Sequence, residues 1–109
     1  MSRDEIPPGT LYMLILKTLA RGRELHGYEI AKSVQSASQD VLQVEEGSLY
    51  PALQRMLIKG WVTAKWGTTA ENRRARYYRL TAVGRKQFET EVSQYERVMQ
   101  AIMRVIRTA

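Results

Sequence analysis

EEGSLYPALQRMLIKGW, residues 45–61, is the stretch around which the fold is organised. Its spacing predicts a helix over about 47–59 that puts Leu49, Leu53, Met56 and Leu57 on one side, three and four apart, with Ala52 at the margin. The other side carries Ser48, Tyr50, Pro51, Gln54 and Arg55, short or flat polar groups near the N-terminus with a charge one turn on. A recognition helix is dressed this way. Its free first-turn N–H groups and positive dipole end suit phosphate. Gln54 has the donor and acceptor to reach adenine, and Arg55 the paired donors to reach guanine. Pro51 is expected within the first turn, where a missing N–H is harmless. An ordinary amphipathic surface helix would share the same periodicity, so the flanking sequence has to decide.

Downstream, Gly60 is placed to end that helix, and residues 61–66 alternate as a strand, with Trp61, Thr63 and Lys65 on one face and Val62, Ala64 and Trp66 on the other. A second strand is expected over 75–80, Tyr78 and Leu80 facing one way, Tyr77 and Arg79 the other. Between them GTTAENRR, residues 67–74, is too long and polar for a tight hairpin and predicts a projecting loop. Arg73, Arg74, Arg76 and Arg79 crowd its return side and Lys65 the outgoing strand, opposed only by Glu71. A merely solvated charge run would mix its signs more evenly, so phosphate contact is the stronger reading.

Upstream, residues 1–8 read as a flexible arm ending in Pro-Pro. Gly9 and Thr10 offer a cap for a first helix running to about residue 21. There Leu11, Tyr12, Met13, Leu14, Ile15, Leu16 and Leu19 cover nearly the whole circumference, which calls for a cover over the second face. After an Arg-Gly-Arg turn, His26, Gly27 and Tyr28 open a second helix to about residue 38. Gly27, Ile30, Ala31, Val34 and Ala37 are expected inside; Tyr28, Lys32 and Gln35 point outward, toward a DNA backbone flanking the recognition helix. His26 reads as a locally bonded helix-start residue, because the chain has no second His and no Cys to share a metal. Leu42 and Val44 alternate with polar neighbours and allow a very short strand. Three helices followed by a hairpin with a basic tip define a mainly α fold with a small β-hairpin, a winged helix-turn-helix domain over residues 9–80 whose wing meets backbone or minor groove.

Residues 81–109 form the second unit. Thr81 can cap a helix with no breaker from residue 85 to residue 107, some 25 residues or about 38 Å at 1.5 Å per residue. Phe88, Val92, Tyr95, Met99, Ile102 and Ile106 recur at alternating steps of four and three, a coiled-coil seam that Val98 and Val105 widen. A stripe that broad needs a partner, and the apolar first helix needs a cover. A dimer through Leu11, Tyr12 and Leu16 and the last helix meets both needs.

Composition agrees. A chain of 109 residues with 44% hydrophobic content suggests one small core, and a net charge of +6 favours a polyanionic partner. The absence of cysteine excludes disulfides and thiolate chemistry. LYMLIL, the longest apolar run, is too short to span a bilayer, so no membrane role and a cytoplasmic location are expected. No Ser/His/Asp or Cys/His set, metal cluster or phosphate-cradling glycine loop points to an enzyme or a cofactor. Glu45 and Glu46 read as favourable charge at a helix start. The alternative to a DNA-binding regulator is a winged helix used as a protein- or RNA-interaction module without sequence-specific DNA binding.

The stretches GTLYMLILKTLARGRELHGYEIAKSV, GSLYPALQRM, KGWVTAKWG and RRARYYRLTAVGRKQF, taken in order, resemble the PadR family of bacterial transcriptional regulators over roughly residues 9–88. The single terminal helix resembles its short members. The resemblance implies a homodimeric repressor that binds an inverted-repeat operator in double-stranded DNA and is released by a small molecule. Carried over by position, it implies DNA contacts at Ser48, Leu49, Tyr50 and Pro51, at Tyr28, and at the wing basics. It also implies an aromatic or lipophilic effector near the dimer axis, where Tyr12, Leu16, Tyr95, Val98 and Met99 would stand; interface packing accounts for the same residues. Ile58 departs from the charged residues usual there and faces outward on the helix wheel.

Overall fold

The stretch at 45–61 folds as a helix, α3, Glu46–Ile58, closed by a left-handed glycine. Gly60 takes φ 75°, and the Gly60 and Trp61 N–H groups donate to the carbonyls of Leu57 and Met56, a Schellman end that turns the chain straight into the wing. Leu49, Ala52, Leu53 and Met56 are fully enclosed, while Leu57 is the marginal residue and Ala52 is not. Pro51 departs from expectation: it is the sixth residue of α3, not in its first turn. The bond it cannot donate would have gone to the Gly47 carbonyl, and because Gly47 is exposed, water can serve that oxygen.

The computed structural model describes residues 4–7 and 9–109, with only the backbone at positions 4 and 5. Part of the expected arm, residues 1–3 and 8, lies outside the described residues. Asp4–Glu5 is a short strand, β1, paired in parallel with β3, Leu42–Gln43. The first helix, α1, is Leu11–Leu19, shorter than expected. Thr10 does not cap it by side chain; its hydroxyl donates to the Pro7 carbonyl at 2.7 Å. The two-residue strand β2, Leu25–His26, precedes α2, Gly27–Ala37. Ile30 and Val34 of α2 are buried as expected, but Ala37 is exposed where the helix ends. The wing is β4, Val62–Thr68, against β5, Arg74–Leu80, and α4 follows as Ala82–Ile106. The order β2-β5-β4 makes a three-stranded antiparallel sheet.

The wing strands run further than alternation suggested. Pairing continues to Thr68 opposite Arg74, leaving a five-residue turn at 69–73 in place of an eight-residue loop. The turn is tied by Thr69 and Arg73, the Thr69 N–H donating to the Arg73 carbonyl at 2.8 Å and the Thr69 hydroxyl accepting from the Arg73 N–H at 3.1 Å. Those local bonds let a long polar tip stay ordered.

One core unites the chain: Ile15, Leu16 and Leu19 of α1, Ile30 of α2, the buried face of α3, and Val62, Tyr78 and Leu80 of the wing base. Each such side chain contributes about 1.5–3 kcal/mol on removal from water. Phe88 packs against the same core, and α4 lies along α1 within the chain. That corrects the expectation of a second copy over the first helix. Leu16 has no exposed surface and Phe88 is half-buried, so Leu16 is withdrawn from the interface and from any effector pocket, and Phe88 belongs chiefly to its own chain. The joint between α4 and the wing is close: the Thr81 hydroxyl accepts from the Gly84 N–H at 2.9 Å and donates to the Gly60 carbonyl at 2.7 Å.

Candidate nucleic-acid interface

The sequence-predicted contacts lie on α2, α3 and the wing, not all with free side chains. Ser48, Tyr50, Pro51 and Gln54 are exposed on α3, and Tyr28 and Lys32 on α2. Tyr50 leans across to the start of α2, so that a Cβ on Gly27 would come within 2.7 Å of its ring. A glycine there lets the two helices close up. Leu49 is a correction: only 1% exposed, it is core, and its side chain cannot reach a base. The helical repeat turns it inward between Ser48 and Tyr50.

Arg55 also differs from expectation. Its Nε donates to the Tyr12 hydroxyl and its guanidinium lies 5.7 Å from the Tyr12 ring centroid, so it is turned back toward α1, while the Gln54 side chain is exposed. Tyr12 in turn meets Trp61 edge-on at 5.4 Å. Gln35 is half-buried and bonded to Asp40 at 2.9 Å, and Lys32 sits 5.6 Å from the Tyr28 ring. His26 behaves as a helix-start residue: its backbone N–H donates to the Glu29 carboxylate at 3.1 Å, and its ring stacks near Tyr28 at 6.4 Å and meets Tyr77 edge-on at 5.3 Å.

The strand register splits the wing cations into two groups. Arg74 and Arg76 share the inner face with Tyr78 and Leu80, opposite Trp66 and Val62. Lys65 and Arg79 lie on the outer face, where Glu24 takes both, at 3.2 and 3.0 Å. Glu71 is therefore not their only counter-charge, and Lys65 is less free than its position suggests. Arg73, at the tip, is exposed. Burial pushes the Tyr78 phenol above its ordinary range, with Arg76 pulling it back and Tyr50 adding to the rise.

Two residues of this surface were missed by sequence reasoning. Glu24 carried no signal, because only folding brings the turn before α2 to the outer wing face. Trp66 did carry one: alternation put it beyond Val62 and Ala64 on the face that leaves the core. Among the described residues no group of three or more His, Asp or Glu is placed to hold a metal, and no helix is long and apolar enough to cross a membrane.

Three helices with α3 presented beside a two-stranded basic wing define the winged helix-turn-helix class of DNA-binding proteins. A family model of PadR-like transcriptional regulators matches residues 15–90. The chain belongs to that family. It is similar to a transcriptional regulator from Clostridium thermocellum, with TM-score 0.82 and 26% identity over 91% of this chain and 95% of the other. It is similar to a PadR family regulator from Eggerthella lenta, with TM-score 0.79 and 25% identity over 93% and 85% of the two chains. An uncharacterized protein from Lysinibacillus sphaericus is 28% identical over 94% of this chain and 93% of its own length. The protein is thus a DNA-binding transcriptional regulator.

Proposed function

We propose that the chain is a homodimeric repressor of an inverted-repeat operator, acting in the cytoplasm and released by a small aromatic or lipophilic effector. One observation carries the dimer: the far half of α4 leaves Tyr95, Val98, Ile102, Val105 and Ile106 between 40% and 75% exposed in a single chain. A contiguous apolar stripe of this kind is the mark of an interface. Val92 and Met99, half-buried on the same helix, extend the candidate surface, whereas Leu11 and Tyr12 pack against their own core and are left at most its margin. With Leu16 withdrawn, an effector would stand among Tyr95, Val98 and Met99 along that axis. A two-fold pair of recognition helices asks for a two-fold operator, and occupancy of such a site beside a promoter excludes polymerase. Selection of bound sequences from random duplex DNA tests this directly. An enriched inverted repeat is expected; enrichment of single, unpaired half-sites would overturn the dimeric reading.

On this reading α3 supplies base contact and the flanks supply phosphate contact. Exposed Glu45 and Glu46 already place carboxylates at the α3 N-terminus, where they repel phosphate, so backbone contact falls to α2 and the wing. Gln54→Ala should relax preference at one position per half-site, by about 1–3 kcal/mol, with the salt slope unchanged. Competition binding against each base substitution reads it out, and an equal loss on every sequence would move Gln54 to the backbone.

Arg73→Ala should weaken specific and non-specific duplexes alike and lower the salt slope by about one per site. Lys65→Ala should do less, because Lys65 is already paired with Glu24, which it shares with Arg79. Affinity titrations over a range of salt compare the two; equal slopes for both variants would contradict the split of the wing into two faces.

A further inference from the structure

Trp66 is 57% exposed, though it is among the largest apolar side chains of the protein. It sits opposite Arg76 in the wing register, and two guanidiniums flank its ring, Arg74 at 4.6 Å and Arg76 at 5.7 Å from the centroid. Such contacts at exposed sites are each worth only about 0.5–1 kcal/mol, and they leave more than half of the ring in water. Core packing does not account for it, since the buried part of this face ends with Val62, Tyr78 and Leu80. Arg76 is held by the ring as well: its Nε is buried with no hydrogen-bond partner among the described residues.

The position is informative. Along the inner face of the wing, Leu80 and Tyr78 lie over the core, and Arg76 with Trp66 comes next toward the tip. This flat apolar plate, edged by two positive charges, stands on β4, the strand against which α3 packs. A ligand complementary to it has an apolar edge between anionic groups, which is the chemistry of a deoxyribose between two phosphates. The geometry points to Trp66 as a DNA-contacting residue, packing on the sugar edge of the minor groove beside the groove that α3 enters, with Arg74 and Arg76 holding the adjoining phosphates. This inference rests on the wing meeting DNA. It adds a residue that reads backbone shape and groove width where no base edge is touched.

The test uses the full chain with Trp61→Phe, which leaves Trp66 as the only tryptophan; Trp61 meets Tyr12 edge-on, a contact phenylalanine retains. A mixed-sequence duplex of about 24 base pairs, a little over two helical turns, is added at low salt, where non-specific binding is strong. Anisotropy of a labelled duplex reports binding, and acrylamide quenching reports access to Trp66. The expected result is quenching reduced severalfold at saturation by duplex and little changed by inorganic polyphosphate. Trp66→Ala should weaken duplex binding about tenfold, equivalent to 1.4 kcal/mol, with an unaltered salt slope. Trp66→Phe should keep most of the affinity. Bound duplex with Trp66 still fully quenchable, equal protection by polyphosphate, or a lowered slope in Trp66→Ala would each overturn the assignment while leaving DNA binding intact. No anisotropy rise with the wild-type chain would instead remove the DNA reading itself.

Discussion

Val98→Asp combined with Ile102→Asp is expected to leave each chain folded, convert the protein to a monomer, and lower operator affinity by roughly a thousandfold, the span that separates specific from non-specific binding. The pair is chosen because both side chains are open to water in a single chain, at 51% and 44% exposure. A charge there costs nothing in an isolated chain. If a second α4 covers the stripe, two carboxylates per copy are buried together, each costing several kcal/mol without a partner. Losing the dimer also loses the spacing of about 34 Å that two recognition helices need for two half-sites. Sedimentation, helical circular dichroism and operator titration together check it. A folded dimer in the double variant would move the interface off this part of α4.

Gly84→Ala is expected to lower the stability of the fold by about 3 kcal/mol, at the upper end for overpacking. A Cβ at position 84 would come 2.0 Å from the Trp61 carbonyl oxygen and 2.8 Å from the Leu80 side chain. The leucine can turn aside; the carbonyl cannot, because it accepts from the Thr81 N–H at 3.0 Å. Relief requires α4 to lift from the wing base, which would also retilt the helix proposed to set operator spacing. For a domain near this size the melting point should fall by roughly 12–20 °C. Val83→Ala, one residue earlier and 59% exposed, serves as the control and should melt near the wild type. A wild-type melt for Gly84→Ala would mean the joint is loose.

Periodicity alone located α3, the two wing strands and α4, because a helix or strand with one buried face writes its repeat into the chain whatever it packs against. The ends of α3 and α4 were legible for a local reason too: Gly60 and Thr81 act through bonds to residues a few positions away. Which surfaces remain free was not local. Whether Leu16 faces a partner or its own core depends on where α4 folds back, and α4 lies along α1 in the same chain. The helical repeat already turned Leu49 inward, against the contact that resemblance implied for it, whereas Arg55 bends back because Tyr12, forty-three positions away, reaches it. The wing cations looked equivalent along the chain. Register decided that two of them brace Trp66 and that two are held by Glu24. Charge and periodicity are carried by each residue and its near neighbours, so sequence determines them. Exposure and pairing arise between residues far apart in the chain, and only the packed structure decides those.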